Sequence, residues 1–376
     1  MAFGNSEKPD ELTPHFAAIV ALLGEYSFKI LQWEEIRIRD RAVLALLIEI
    51  HPDHTAPLDE DLQKLATELG IDIASEFQAH HLPQPSSALL SAEVVIAGSA
   101  IPSSLASSVM EKISQSGATI SNAGSRPHNQ ISALTLEISI ETEDLVELRN
   151  SLTELKGPIA TNDLRGHGQR LFVFDMDSTL INEEVIDLLA VKSGKGAEVA
   201  TITESAMRGE LDFATSLKKR VALLAGLANS VIDEVRAELT LTPGVQELFS
   251  AIHRNGGLIA VVSGGFHNVI DPLLKDLGVD FILANTLETT EAGLTGRISG
   301  RLIDGEVKAE FLRETAAHRN IDLSRTVAVG DGANDRAMVT TAGIGVAFCA
   351  KPSLVECAET VISERDLSVL IPLLNL

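Results

Sequence analysis

Leu171-Phe172-Val173-Phe174 is an uninterrupted apolar run that breaks off at Asp175-Met176-Asp177-Ser178-Thr179. A run this short and this apolar suits a strand buried on both faces of a parallel sheet, and in open α/β sheets the reacting groups sit just beyond such strand ends. Asp175 and Asp177 would then share one crevice. Two carboxylates so close repel each other unless a cation or a shared proton relieves them, so a hard metal such as Mg²⁺ is expected.

Three further stretches repeat the theme. Leu258-Ile259-Ala260-Val261-Val262 runs into Ser263-Gly264-Gly265, where a hydroxyl, glycine backbone N–H groups and the next helix N-terminus suit a phosphate. Thr326-Val327-Ala328-Val329-Gly330 runs into Asp331-Gly332-Ala333-Asn334-Asp335, a second acidic loop able to supply the metal's remaining carboxylate. Between them Lys308, within Glu306-Val307-Lys308-Ala309-Glu310, is a point charge for a phosphate oxygen. Each piece alone has an ordinary explanation, since Asp and Gly are turn residues and a Lys in a charged helical stretch is usually solvated. Four such pieces in order outweigh it and point to covalent phosphoryl chemistry.

From about Arg170 to Leu376 the chain resembles the phosphoserine phosphatases of the haloacid dehalogenase-like superfamily. Asp175-Met176-Asp177-Ser178-Thr179 is similar to the first motif, Val262-Ser263-Gly264-Gly265-Phe266 to the second, Lys308 to the third, and Gly330-Asp331-Gly332-Ala333-Asn334-Asp335 to the fourth. Glu184 and the segments from Ala206 to Phe213 and Ser216 to Val221 carry the substrate-specific part of the likeness. The resemblance implies a Rossmann-like α/β core at 166–376 with a helical cap from Glu183 to about Ala237. It implies Asp175 as the nucleophile that forms an aspartyl phosphate and Asp177 as the acid and then base. Mg²⁺ would be held by the carboxylates of Asp175 and Asp331 and the backbone carbonyl of Asp177, with Ser263, Gly264 and Lys308 on the phosphate. Asp335 would orient Lys308, Asn334 would lie beside phosphate or metal, and Thr179 would steady the nucleophile loop.

A substrate carrying an ammonium and a carboxylate besides its phosphate needs one anion and one cation, and Glu184 and Arg220 are the candidates. Met207 and Phe213 would form the apolar wall. At helical spacing such residues are more often plain core, and only the resemblance lifts them into the pocket. The reaction implied is hydrolysis of O-phospho-L-serine, the last step of serine biosynthesis. Two alternatives stand beside it: transfer of the same phosphoryl group to another alcohol such as homoserine, and a non-catalytic amino-acid sensor or scaffold. The second would be expected to lose one of Asp175, Asp177, Lys308 or Asp331, and none is lost. Arg336, after the fourth motif, stands where the family usually has an aliphatic residue, a change expected to alter packing or the metal loop.

A chain of 376 residues exceeds one compact core. Upstream of Arg170, two units at 1–82 and 88–165, separated by the linker-like Leu82-Pro83-Gln84-Pro85-Ser86-Ser87, each read strand, helix, strand, strand, helix, strand. In the first, Phe16 to Leu23 and Leu62 to Leu69 read as helices, with strands at Lys29 to Arg37 and Val43 to Ile50. In the second, strands fall at Val94 to Ala97, Thr119 to Ala123 and Ala133 to Ile140, with helices at Leu105 to Ser114 and Leu145 to Leu155. The pattern resembles the α+β ferredoxin-like fold of ACT domains. Amino-acid-binding ACT domains typically place a glycine in the turn before the first helix. Here those turns are Thr13-Pro14-His15-Phe16 and Gly98-Ser99-Ala100-Ile101-Pro102-Ser103, without it in the expected place, so a scaffold for a homodimer or higher oligomer is favoured over an effector site.

The net charge of -23 and the lack of basic patches argue against nucleic acid or anionic membrane as partners. No apolar run is long enough to span a bilayer and the first residues lack a signal-peptide pattern, so a cytoplasmic protein is expected. Cys349 and Cys357 are expected to be reduced and buried. His51, His54, His80 and His81 read as surface loop residues rather than metal ligands.

Overall fold

The computed structural model describes residues 2–4, 12–26, 28–38, 41–77, 89–163, 168–208 and 210–376. The expected linker and His80 and His81 lie outside them. The chain divides into two compact units, Met1–Gln84 and Pro85–Leu376.

The first unit contains β1 (Ala2–Gly4), α1 (Leu12–Gly24), β2 (Lys29–Ile38), β3 (Arg41–Glu49), α2 (Thr55–Leu69) and β4 (Asp72–Ile73). Its antiparallel sheet runs β2-β3-β1-β4. Ile19 and Leu23 of α1 pack with Leu58 and Leu62 of α2 in a small core of their own. α2 starts seven residues before the expected Leu62, at Thr55, and ends at a left-handed Gly70, as helices commonly do.

The second unit opens with the same order: β5 (Leu89–Gly98), α3 (Ser103–Gln115), β6 (Thr119–Ser125), β7 (Ser132–Glu141), α4 (Thr142–Thr153) and β8 (Ile159–Asp163). Its antiparallel sheet runs β6-β7-β5-β8. Alternation along β5 sends Leu90, Ala92, Val94 and Ile96 toward α3 and α4, and Val95 and Ala97 into a core shared with the rest of the unit. Both faces of β5 are therefore covered, and β5 reads apolar throughout Val94–Ala97 for that reason, whereas edge strand β6 is exposed throughout.

The remainder is a seven-stranded sheet, introduced along the chain as β9 (Leu171–Phe174), cap helices α5 (Val185–Lys192), α6 (Gly196–Met207), α7 (Phe213–Ala222) and α8 (Ser230–Glu238), then α9 (Val245–Arg254), β10 (Leu258–Phe266), α10 (His267–Asp276), β11 (Phe281–Thr290), β12 (Gly293–Ser299), α11 (Gly305–His318), β13 (Thr326–Gly330), α12 (Arg336–Thr341), β14 (Ile344–Phe348), α13 (Pro352–Val355), β15 (Thr360–Ile362) and α14 (Leu370–Leu373). The order is β12-β11-β10-β9-β13-β14-β15, with every pair parallel except β11 and β12. Phe172 and Phe174 of β9 enter the core on one face, Leu171 and Val173 that on the other. Each such fully buried large side chain contributes about 1.5–3 kcal/mol. Central β9 pairs with β10 through Phe174↔Val261 and with β13 through Phe174↔Val329, so the residues that follow these pairs lie level, with β10 running on to Phe266. That register brings 175, 263 and 331 to one edge.

No helix among the described residues is long and apolar enough to cross a membrane. Cys349 and Cys357 are free thiols but half-buried rather than buried, because each follows a core element, β14 or α13, instead of lying within it. Arg336 is exposed at the start of α12. It displaces no core side chain, so the expected effect on packing does not arise.

Candidate active site

Asp175 follows β9 directly, and its backbone N–H continues the ladder by donating to Val329 O at 2.9 Å. One oxygen, Oδ1, accepts from the Met176 N–H at 2.8 Å and from the Lys308 ammonium at 2.7 Å. Lys308 reaches in from the first turn of α11, which Asp304 caps by accepting the Val307 N–H. It is fully enclosed, and its Nζ also donates to Asp335 Oδ1 at 2.7 Å. Burial alone pushes such an ammonium's pKa down, but Asp175 and Asp335 outweigh it and hold Lys308 above its ordinary value. Asp335 Oδ2 accepts the N–H groups of Asp331 and Gly332 at 3.2 and 3.1 Å. Asp335 thus holds Lys308 with one oxygen and shapes the Asp331 loop with the other.

Asp175, Asp331 and Asp335 are buried with one carboxylate oxygen from each within 4.8 Å of the others, the group of described residues able to hold a metal. These are hard oxygen donors, as Mg²⁺ requires. Since both Asp335 oxygens are already engaged, Asp175 and Asp331 are the carboxylates left to ligate. Burial and the Asp335 charge push Asp331 up to about 6, opposed by Lys351, whose Nζ lies 3.6 Å from Asp331 Oδ2. A bound cation would relieve that carboxylate crowding.

Asp177 lies on the other side of the crevice, with no hydrogen-bond partner for Oδ1 among the described residues. Burial, then the Glu184 and Asp175 charges, raise its pKa well above its ordinary value. It faces the second motif, for a Cβ on Gly265 would stand 3.3 Å from Asp177 Oδ2. Ser263 is fully buried and its Oγ accepts the Gly265 N–H at 2.8 Å. The expected free glycine loop is instead the irregular end of β10, where pairing with β11 shifts between Val262 and Phe266. Gly264 O accepts from Asn285 Nδ2 at 2.9 Å, and Asn285 Oδ1 accepts the Ile303 N–H at 3.0 Å. Thr179 is buried, its carbonyl accepting from Thr242 Oγ1 at 2.7 Å while its own hydroxyl has no partner among the described residues.

The cap closes over this floor. Glu184 stands at the N-cap position of α5, where its carboxylate makes no capping bond and instead accepts from Ser178 Oγ at 2.9 Å. Asp212 caps α7 by accepting the Thr215 N–H at 2.8 Å, which starts the helix with Phe213, Ser216 and Arg220 at positions i, i+3 and i+7 of one face. Phe213 reaches the floor, since a Cβ on Gly264 would stand 3.2 Å from Phe213 Cζ. Arg220 Nε and Ser216 Oγ are buried without partners among the described residues. Burial holds the Arg220 pKa below its ordinary value, against Asp187, Glu184 and Asp177. Met207 closes α6; its side chain lies outside the described atoms. Asn334, in the turn Ala333–Asp335, is half-buried and packs its side chain back on Gly332.

Sequence reasoning placed Ser216 in a substrate-specific segment without giving it a role, and gave none to Asn285 or Lys351. The helical period from Phe213 to Arg220 contains Ser216, whereas nothing local marks Asn285 or Lys351, which act across strands and loops distant in sequence.

A haloacid dehalogenase-like hydrolase family profile matches residues 172–340, and an ACT domain profile matches residues 13–76. Phosphoserine phosphatase SerB2 of Mycobacterium tuberculosis is 37% identical over 96% of this chain and 89% of its own length. A phosphoserine phosphatase of Streptomyces coelicolor is 39% identical over 96% and 88%. The chain belongs to the phosphoserine phosphatase family. A solved phospho-aspartyl intermediate analogue of phosphoserine phosphatase, 40% identical, superposes with a TM-score of 0.53 over 55% of this chain and 100% of that one. Family membership thus joins an α/β phosphatase core to an N-terminal ACT domain, and the second ferredoxin-like domain repeats the ACT topology.

Proposed function

We propose that this chain is a Mg²⁺-dependent phosphatase that hydrolyses O-phospho-L-serine to L-serine and phosphate. One observation carries the chemistry: the enclosed Lys308 ammonium bridges Asp175 and Asp335 beside a second carboxyl, Asp177, held in a proton-retaining environment. Asp175 attacks phosphorus and the ester P–O bond breaks, giving an aspartyl phosphate. Protonated Asp177 gives its proton to the departing serine oxygen; as carboxylate it then takes one from the water that cleaves the aspartyl phosphate. Lys308 and Ser263 bind phosphoryl oxygens; Asp175, Asp331 and the Asp177 carbonyl would hold the metal, which would supply charge compensation for those oxygens. Relatives named phosphoserine phosphatase over nearly the whole chain support this substrate. So do the unpartnered Arg220 Nε for a carboxylate and Glu184 for an ammonium.

The reading extends to a cytoplasmic homo-oligomer acting in serine biosynthesis, with 1–82, 88–165 and 166–376 as its domains. Two free thiols are in keeping with a reducing compartment. The test is phosphate release from L-phosphoserine, phosphothreonine and p-nitrophenyl phosphate, with Mg²⁺ or EDTA. Metal-dependent release favouring phosphoserine is expected. Release indifferent to the substrate removes the assignment, and capture of the phosphoryl group by added homoserine replaces hydrolysis with transfer.

A further inference from the structure

The cap hangs on two crossings of the chain, residues 180–184 outward and 239–243 back. They are stapled to each other: Ile181 bridges Leu241, the Asn182 N–H donates to Thr240 O at 3.0 Å, and the Thr242 N–H donates to Leu180 O at 2.9 Å. The Glu183 carboxylate accepts from the Thr240 N–H at 3.0 Å and its hydroxyl at 2.6 Å. This hinge is continuous with the site, since Glu184 ends its outward crossing and Thr179 precedes it.

A loop of the core, 363–368, grips the hinge from outside. Arg365 Nε donates to Asn182 Oδ1 at 2.8 Å and Nη2 to Ile181 O at 3.4 Å. Asn182 in turn donates through Nδ2 to Thr240 Oγ1 at 2.9 Å, so its carboxamide is oriented at both ends and Arg365 acts on both crossings. On the return side the Leu367 N–H donates to Pro243 O at 2.9 Å. At Gly244, with φ +83°, a Cβ would collide with Asp366 Oδ1 and Ser368 N. The residue before Arg365 faces elsewhere: Glu364 Oε2 accepts the Ser99 N–H at 3.0 Å, in the turn before α3 of the second ferredoxin-like domain.

We propose that Arg365 is a positioning residue for the reaction, holding the hinge so that the cap presents Glu184 and Arg220 above Asp175, and that Glu364 ties this setting to the second ferredoxin-like domain. The proposal rests on the reading that the cap recognises the amino-acid part of phosphoserine. Because only that part needs the cap, a loosened hinge costs phosphoserine turnover more than turnover of an aryl phosphate.

Arg365→Ala is assayed on phosphoserine and p-nitrophenyl phosphate, and hydrogen exchange is followed in 180–184 and 239–243. Asn182→Ala, at an exposed position, tests the same contact if the first variant folds poorly. A roughly 5- to 20-fold loss of kcat/KM on phosphoserine, under about 3-fold on the aryl ester, is expected, with faster hinge exchange and partial rescue by Arg365→Lys. Glu364→Ala should speed the same exchange while Glu364→Gln, which keeps an acceptor for Ser99, should not. Unchanged hinge exchange, or equal losses on the two substrates, overturns the role of Arg365; unchanged exchange in Glu364→Ala overturns the tie. Should the unaltered enzyme not prefer phosphoserine, the substrate reading falls, while hinge exchange still decides the clamp.

Discussion

Among the described residues, buried polar atoms without partners gather in two regions. In the crevice they are Asp177 Oδ1, Thr179 Oγ1, Ser216 Oγ and Arg220 Nε; in and around the seam where the second ferredoxin-like sheet meets the phosphatase core they are both Glu93 oxygens, Thr135 Oγ1, Arg149 Nε, Asn162 Oδ1 and Glu359 Oε1. The cost of such an atom is similar in either place. The surroundings differ. In the crevice Asp177 and Arg220 both lie near enough to Glu184 to feel its charge and Ser216 shares the α7 face of Arg220, so a ligand with phosphate, ammonium and carboxylate would find partners there. In the seam, Arg126 reaches Glu93 only at 3.1 Å without a well-aligned hydrogen bond, and Asn162 donates to Leu373 O at 3.0 Å with its oxygen left over. An orphaned polar atom marks a function only where others converge on the same space.

If that distinction is right, removing crevice groups should abolish function and removing seam groups should not. The largest effect belongs to Asp175→Asn, which removes the nucleophile: kcat should fall at least about 1,000-fold on every phosphate ester alike. Residual turnover near the parent's would move the nucleophile elsewhere. Asp177→Asn should lose about 100- to 10,000-fold in kcat. It should suffer less on p-nitrophenyl phosphate than on phosphoserine, because a good leaving group needs little protonation. Equal losses would mean that Asp177 does not serve as the acid.

Arg220→Ala sharpens the comparison within the crevice itself. If its charge meets the substrate carboxylate, an interaction worth about 1.5–3 kcal/mol, kcat/KM on phosphoserine should drop roughly 10- to 100-fold. On p-nitrophenyl phosphate, which has no carboxylate, the drop should be under about 3-fold. A drop of the same size on both would make Arg220 a structural brace of α7.

The crevice was far more legible in the sequence than the seam. Asp175, Asp177, Ser263, Lys308 and Asp331 announce themselves because each follows an apolar run or resembles a motif, and parallel register turns strand ends into neighbours. The ferredoxin-like strands and helices were legible by period. What periodicity does not encode is the partner of an exposed-looking face. Val95 and Ala97 enter the phosphatase core, yet Glu93 in the same row, 1% exposed, reads as solvent-facing. The irregular end of β10 and the Asn285 link depend on hydrogen bonds between segments about twenty residues apart and left no local mark.

The smallest effect tests the seam. Burial pushes the Glu359 carboxyl up to about 7 from 4.5, with Arg149 opposing. A carboxyl raised on folding binds its proton more tightly in the folded state. Stability is therefore greatest below the unfolded value near 4.5, falls as pH rises to about 7, and then levels, a change of about 3 kcal/mol at most. Glu359→Gln keeps the shape without the charge. Its urea midpoint should lie within about 1 kcal/mol of the parent's at pH 5 and exceed it at pH 8 by a margin worth up to about 3 kcal/mol, with phosphatase activity unchanged. The same acid-to-amide change thus stabilises in the seam and abolishes turnover at Asp175. An identical offset at both pH values would mean that Glu359 is already paired with Arg149, and the contrast between the two regions would have to rest on Glu93 instead.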